Sequence, residues 1–183
     1  QLQKQGETVA ALALFDSPAP YAGSRPQADY DNATLMPAFA KYLGARRGKK
    51  LPISADDFRE LGISEGLQQV WEQVKAFDLL SAESSLEQLH SLFQIYKNGL
   101  QKATDQLWRY EPQTYSGRIA LFRATNTSEA FERLFPDAAS GWSRISSRPL
   151  VVHDIPGDHY TMFLEPEVQK LAERLRHCIE TIQ

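Results

Sequence analysis

Hydrophobic residues fall into three short continuous runs, separated by longer stretches in which they recur with a helical period. Val9 to Phe15 is apolar throughout and is closed by Asp16-Ser17-Pro18. Continuous rather than alternating hydrophobicity predicts a central parallel strand covered on both faces. Gly117 to Arg123 predicts a second strand, and Leu150 to Ile155 a third, with β-branched Val151 and Val152 and a Pro156-Gly157 stop. Between the first two strands the period changes. Leu35, Met36, Phe39 and Leu43 predict a helix over 31–44, with Asp31 or Asn32 as its N-cap. Ser54 and Asp57 are spaced for a capping box at another helix start, and a further helix is predicted over 64–77. The strongest periodic signal spans 84–108, where Leu86, Leu89, Phe93, Tyr96, Leu100, Ala103 and Leu107 recur at three- and four-residue steps. Pro166 opens a last helix, with Val168, Leu171, Leu175, Ile179 and Ile182 along one face. Residues 124–149 read as a polar loop with a short helix near 129–134. Gln1 to Gly6 reads as a final helical turn closed by its glycine.

Composition narrows the function classes. The 183 residues are 42% hydrophobic and carry a net charge of −3, as expected of a domain large enough to bury a core. No basic excess is present to neutralise phosphates, so nucleic acid is not an expected partner. The single cysteine, Cys178, excludes an internal disulfide and a Cys-rich zinc site. The apolar runs are too short to cross a bilayer and no signal peptide is recognised, so a cytoplasmic protein without a membrane partner is expected.

Two residues stand where a scaffold places chemistry. Asp16 ends the first predicted strand, at the carboxyl edge where open α/β sheets keep functional groups. His159 follows the third strand, after a glycine that lets the backbone turn tightly, a usual position for a proton carrier. Each has a plainer alternative: Asp-Ser-Pro is a common turn former, and a loop histidine often only caps the next helix. His90, His153 and His177 sit on predicted helices or within a strand. No pair has the spacing of a metal site, and no metal is expected.

The segment Val152-His153-Asp154-Ile155-Pro156-Gly157-Asp158-His159-Tyr160-Thr161-Met162 resembles the histidine loop of the thioesterase domains that end nonribosomal peptide and polyketide synthases. "Ala-Leu-Phe-Asp-Ser-Pro-Ala-Pro" at 13–20, "Gly-Arg-Ile-Ala-Leu-Phe-Arg-Ala" at 117–124 and Gly141-Trp142 extend the resemblance along the chain. It implies the C-terminal part of an α/β-hydrolase fold, with three mostly parallel strands, flanking helices and a large helical lid insertion. Residues 1–24 would hold the end of the helix behind the nucleophile and the aspartate strand. Residues 25–110 would be the lid, and 111–183 the last two strands, the histidine loop and the final helix. The resemblance makes His159 the general base of a Ser-His-Asp triad and Asp16 its acid. Its substrate would be an acyl chain held as a thioester on the phosphopantetheine arm of an acyl or peptidyl carrier protein, with no cofactor bound by the domain itself. Other acids fit the role less well: Asp154 and Asp158 are too near His159 in sequence, and the loop after the second strand offers Asn126 and then Glu129.

The family's nucleophile sits in a Gly-x-Ser-x-Gly elbow, which this sequence lacks. Gly141-Trp142-Ser143 begins like one but has no second glycine and follows a polar loop, so Ser143 is not expected to serve. Family spacing would put the serine about a dozen residues before Gln1. Chain release by hydrolysis or cyclisation is therefore expected of the parent protein, and inactivity of these residues alone. A non-catalytic lid or assembly fragment, binding a carrier protein or its own missing half, is a second reading. Another α/β-hydrolase, an acyltransferase or lipase, is a third. Arg46, Arg47, Lys49 and Lys50 place four cations in five residues. They read either as a solvated turn or as a contact for an acidic carrier protein.

Overall fold

A computed structural model describes residues 2–20, 31–127 and 138–181. The chain divides into two compact units, Gln1–Pro26 with Leu107–Gln183, and Gln27–Gln106.

The first unit is built on a three-stranded parallel sheet in the order β1 (Leu12–Phe15), β2 (Ile119–Ala124), β3 (Val151–Ile155). Phe15 is the register partner of Phe122, and Phe122 that of His153. Their rings stack in a row across the sheet, with centroids 5.2 and 4.9 Å apart, the spacing that adjacent strands impose. Ala120, Phe122, Ala124 and Ile155 pack on this face with Met162 and with Leu171 of the last helix, α5 (Glu167–Glu180). Burying a side chain the size of Phe122 contributes about 1.5–3 kcal/mol. The buried side of α5 is not quite the expected one. Leu171, Leu175 and Cys178 face the core, whereas Ile179 is 59% exposed. Leu171, Leu175 and Cys178 recur at four- and three-residue steps, a helical stripe that puts Cys178 on the buried side.

A second correction concerns 124–149, read from the sequence as loop. Ala138–Ile145 is a helix, α4, that includes Gly141 and Trp142. Its glycine and serines hide the helical signal. The glycine has a packing reason, because a Cβ there would come within 2.4 Å of the Ala19 Cβ. The short helix expected near 129–134 lies outside the described residues, as do Glu129 and Ile182. At the start of the chain, Leu2–Gln5 forms a 3-10 helix and Gly6 adopts φ +84°, matching a helical turn closed by glycine.

The second unit is helical. Its elements are α1 (Asn32–Ala45), a 3-10 turn at Asp56–Phe58, α2 (Ile63–Ala76) and α3 (Leu86–Arg109), whose last turn belongs to the other unit. Asp31 caps α1 by accepting the Thr34 N–H at 2.7 Å. Only half of the expected Ser54–Asp57 box forms: Asp57 Oδ2 accepts the Ser54 N–H at 2.7 Å and the Ser54 hydroxyl at 3.0 Å, beside a 3-10 turn whose N-cap is Ala55. Leu35, Met36, Phe39, Leu67, Val70, Leu89 and Phe93 make the core, with Phe39 edge-on to Phe93 at 5.3 Å. Along α3 the expected seam holds through Leu89, Phe93, Tyr96 and Leu100. Beyond that, Ala103 is exposed and Thr104 is buried at 2% exposure. The Thr104 hydroxyl donates to the Leu100 carbonyl at 2.8 Å, so its polarity is satisfied within the helix and does not oppose burial.

The basic segment after α1 is exposed, as its composition suggests, but two of its cations also reach backbone carbonyls. Arg47 Nε donates to the Leu79 carbonyl at 3.1 Å, and Lys49 Nζ donates to the Phe77 carbonyl. Phe77 is the C-cap residue of α2, where a cation is favoured, and Leu79 lies in the segment that follows it. Arg46 donates to the Tyr42 hydroxyl at 2.9 Å and lies over its ring. Lys50 is exposed. Among the described residues, no helix is long and apolar enough to cross a membrane.

Candidate active site

At the carboxyl edge of the sheet the chain leaves each strand through a different local device, and these devices converge. Asp16, immediately after β1, adopts φ +43°, a conformation that aspartate tolerates better than most residues. Two bonds to the neighbouring strand hold it there. Its N–H donates to the Phe122 carbonyl at 2.7 Å, and its Oδ1 accepts the Ala124 N–H at 2.9 Å. The second oxygen, Oδ2, lies 3.0 Å from Nδ1 of His159. The Asp16 side chain is 9% exposed and that of His159 44%, so the acid is shielded while the imidazole reaches solvent. Ser17 is tied down by α4, since Trp142 Nε1 donates to its carbonyl at 2.9 Å.

This geometry favours one tautomer. A carboxylate beside Nδ1 favours the proton on that nitrogen, and the neutral imidazole then keeps its basic lone pair on Nε2. A hydrogen bond to a charged acceptor contributes about 1.5–3 kcal/mol, enough to hold the ring. The Tyr160 ring packs edge-on against His159 at 5.1 Å and limits its rotation. The arrangement can take a proton at Nε2 and stabilise the resulting imidazolium with Asp16.

The rival acids are occupied elsewhere. Asp154 pairs with Arg123, at 2.9 Å to Nε and 2.8 Å to Nη2. The Oδ1 of Asp158 accepts from the backbone of its own turn. Asn126 contributes its N–H, which donates to the Gly157 carbonyl at 3.0 Å and moors the histidine loop to the end of β2. Ser143 is exposed on α4. His153 is stacked on Phe122, and its Nε2 is buried without a hydrogen-bond partner. Burial, then Arg174 and His177, lower its pKa below the usual imidazole value. His90 lies 3.3 Å from Gln94 on α3, and Cys178 is half-buried. Among the described residues, no three His, Cys, Asp or Glu side chains gather as metal ligands do. Arg46, Arg47, Lys49 and Lys50 lie in the helical unit. Sequence reasoning passed over Ala124, whose backbone N–H aligns the carboxylate, and Thr161, whose hydroxyl braces the loop. The Asp158-x-x-Thr161 spacing was the available signal for the second.

The family described as "Thioesterase domain" matches residues 1–179. The chain belongs to the thioesterase-domain family. Chondramide synthase of Chondromyces crocatus is 23% identical over 185 residues, covering 100% of this chain and 5% of the synthase. Among solved structures, AB3403, a four-domain nonribosomal peptide synthetase bound to AMP and glycine, is 29% identical with a TM-score of 0.61. The match covers 97% of this thioesterase chain and 13% of the synthetase. The Vlm2 thioesterase domain is 25% identical with a TM-score of 0.52, covering 97% of this chain and 61% of that one. The chain thus spans under two thirds of the length of each of these relatives. These likenesses support the mixed α/β fold with its parallel sheet and flanking helices.

Proposed function

We propose that the chain is part of a chain-releasing thioesterase of a nonribosomal peptide or polyketide synthase, with Asp16 and His159 as the acid–base half of a Ser-His-Asp triad. The observation that carries this reading is the 3.0 Å contact between His159 Nδ1 and Asp16 Oδ2 at the sheet's carboxyl edge. A serine supplied by residues outside this sequence attacks a thioester on a carrier protein's phosphopantetheine arm. His159 accepts the serine proton at Nε2 and returns it to the departing thiol. Asp16 holds the imidazole and offsets its positive charge. Water, or a nucleophile within the acyl chain, then releases the acyl-enzyme. The helical unit takes the role of the family's lid. Arg46, Arg47, Lys49 and Lys50 take that of a rim for the acidic carrier protein.

The test has two arms. The 183-residue chain alone should turn over no soluble acyl thioester above background, because no acyl-enzyme can form without the nucleophile. The full-length protein should turn it over and lose nearly all activity on His159→Ala. Robust turnover by the 183 residues, abolished by Ser143→Ala, would overturn the reading.

A further inference from the structure

His159 stands inside a turn whose two flanking side chains hold each other. The Asp158 N–H donates to Thr161 Oγ1 at 2.8 Å. In return, Asp158 Oδ1 accepts the Thr161 N–H at 2.9 Å, the Thr161 hydroxyl at 3.0 Å and the Tyr160 N–H at 3.1 Å. One hydroxyl thus accepts from Asp158 and donates to it, and one carboxylate oxygen gathers three donors. The turn is also moored on both sides. Ahead of it, the Gly157 carbonyl accepts the Asn126 N–H; after it, the Met162 N–H donates to the Asp158 carbonyl at 3.0 Å. The Met162 side chain is fully buried in the sheet core. Gly157 is required by the same packing. Its φ is +94°, and a Cβ there would lie 2.8 Å from Thr161 Oγ1.

None of these bonds reaches the imidazole. Their joint effect is to fix the peptide on either side of His159, and with it the direction in which the side chain leaves the backbone. The 3.0 Å contact with Asp16 tolerates little error in that direction, because a hydrogen bond weakens steeply when stretched or bent. We propose that Asp158 and Thr161 are positioning residues, a reciprocal lock that aims His159 at Asp16. The proposal rests on the acid–base reading of that pair. It also gives a use to an acidic residue that adjoins the histidine in sequence.

The test reads the imidazole directly. The ¹⁵N-labelled full-length protein is studied by imidazole ¹⁵N–¹H correlation at about pH 8, above the ordinary histidine range. Wild type should show His159 as a single tautomer protonated on Nδ1, and Asp16→Asn should lose that signature. Thr161→Val, which keeps the shape and removes both hydroxyl bonds, should lose it too, giving averaged tautomers. Thr161→Ser should restore it. Wild type without the Nδ1 proton would overturn the pair and the lock together. A retained signature in a folded Thr161→Val, with Met162 methyl shifts unchanged, would overturn the lock alone. Should Thr161→Val not fold, amide exchange in wild type decides: slow exchange at Tyr160 and Thr161 supports the lock, and unprotected exchange overturns it.

Discussion

His153 and His159 lie on one continuous stretch of chain, within β3 and just past its end, yet the fold treats them as different chemical groups. His153 is pressed onto Phe122 in the interior row of rings, its Nε2 sealed without a partner and its pKa lowered by burial and by Arg174 and His177. His159 stands at the strand's exit with a shielded carboxylate at Nδ1 and nearly half of its side chain exposed. Residue type does not set the role. The proposed proton carrier needs solvent on one nitrogen and an oriented acceptor on the other, and of these two positions the end of the strand provides both.

The widest separation between the two should appear in turnover. In the full-length protein, His159→Ala is expected to reduce thioester turnover by about 10,000-fold or more, the loss that follows removal of a triad base. His153→Ala should leave the rate per folded molecule within about twofold, a difference of ~0.4 kcal/mol. Equal losses in steady-state assays of the two variants would erase the distinction. A smaller effect tests how each histidine is held. Gly157→Ala meets Thr161 and an unfavourable φ, and should destabilise by about 1–3 kcal/mol in urea titrations while distorting only the His159 side. His153→Ala removes one stacked ring and should cost about 1 kcal/mol.

Next comes pH. Because the folded state lowers the pKa of His153, it favours the neutral ring. That contribution is present above the unfolded value of about 6.5 and is lost as pH falls from there through the folded value. His153→Phe should flatten the corresponding part of the melting-temperature profile on the acid side. An unchanged profile would show that another group carries the acid dependence. The smallest effects belong far from either histidine, at Arg46, Arg47, Lys49 and Lys50. Replacing all four by serine should slow loading from a carrier protein in a salt-dependent way, with hydrolysis of a small thioester unchanged. Equal effects on both substrates would leave these cations only the backbone-carbonyl contacts seen for Arg47 and Lys49.

What the sequence revealed follows the range of the forces involved. β1 and β3 were legible because their apolar runs are local, and so were Asp16 and His159 as residues at strand ends. Their contact was not readable from spacing, since 143 positions separate them and parallel pairing through β2 brings them together. It entered only through the resemblance of the two motifs to a family. α4 escaped because Gly141 is chosen for close packing on Ala19 rather than for helix propensity. Cys178 displaced Ile179, and Thr104 displaced Ala103, because burial on a helix is settled by the facing surface and by local hydrogen bonding. Residue polarity alone does not decide it. The cations at 46–50 are exposed as their composition suggests, but the carbonyls that Arg47 and Lys49 reach lie too far along the chain to be read from spacing.

In the proposed triad Asp16 orients His159, and Asp16→Asn isolates that role. Asparagine keeps the size of the side chain and an oxygen for the Ala124 N–H, but it offers no charge and can favour the wrong tautomer. Steady-state kinetics of the full-length variant on a small acyl thioester should show kcat lowered by about 1,000-fold to 10,000-fold with KM little changed. A kcat within a few-fold of wild type would contradict the central claim and leave the pair a structural contact.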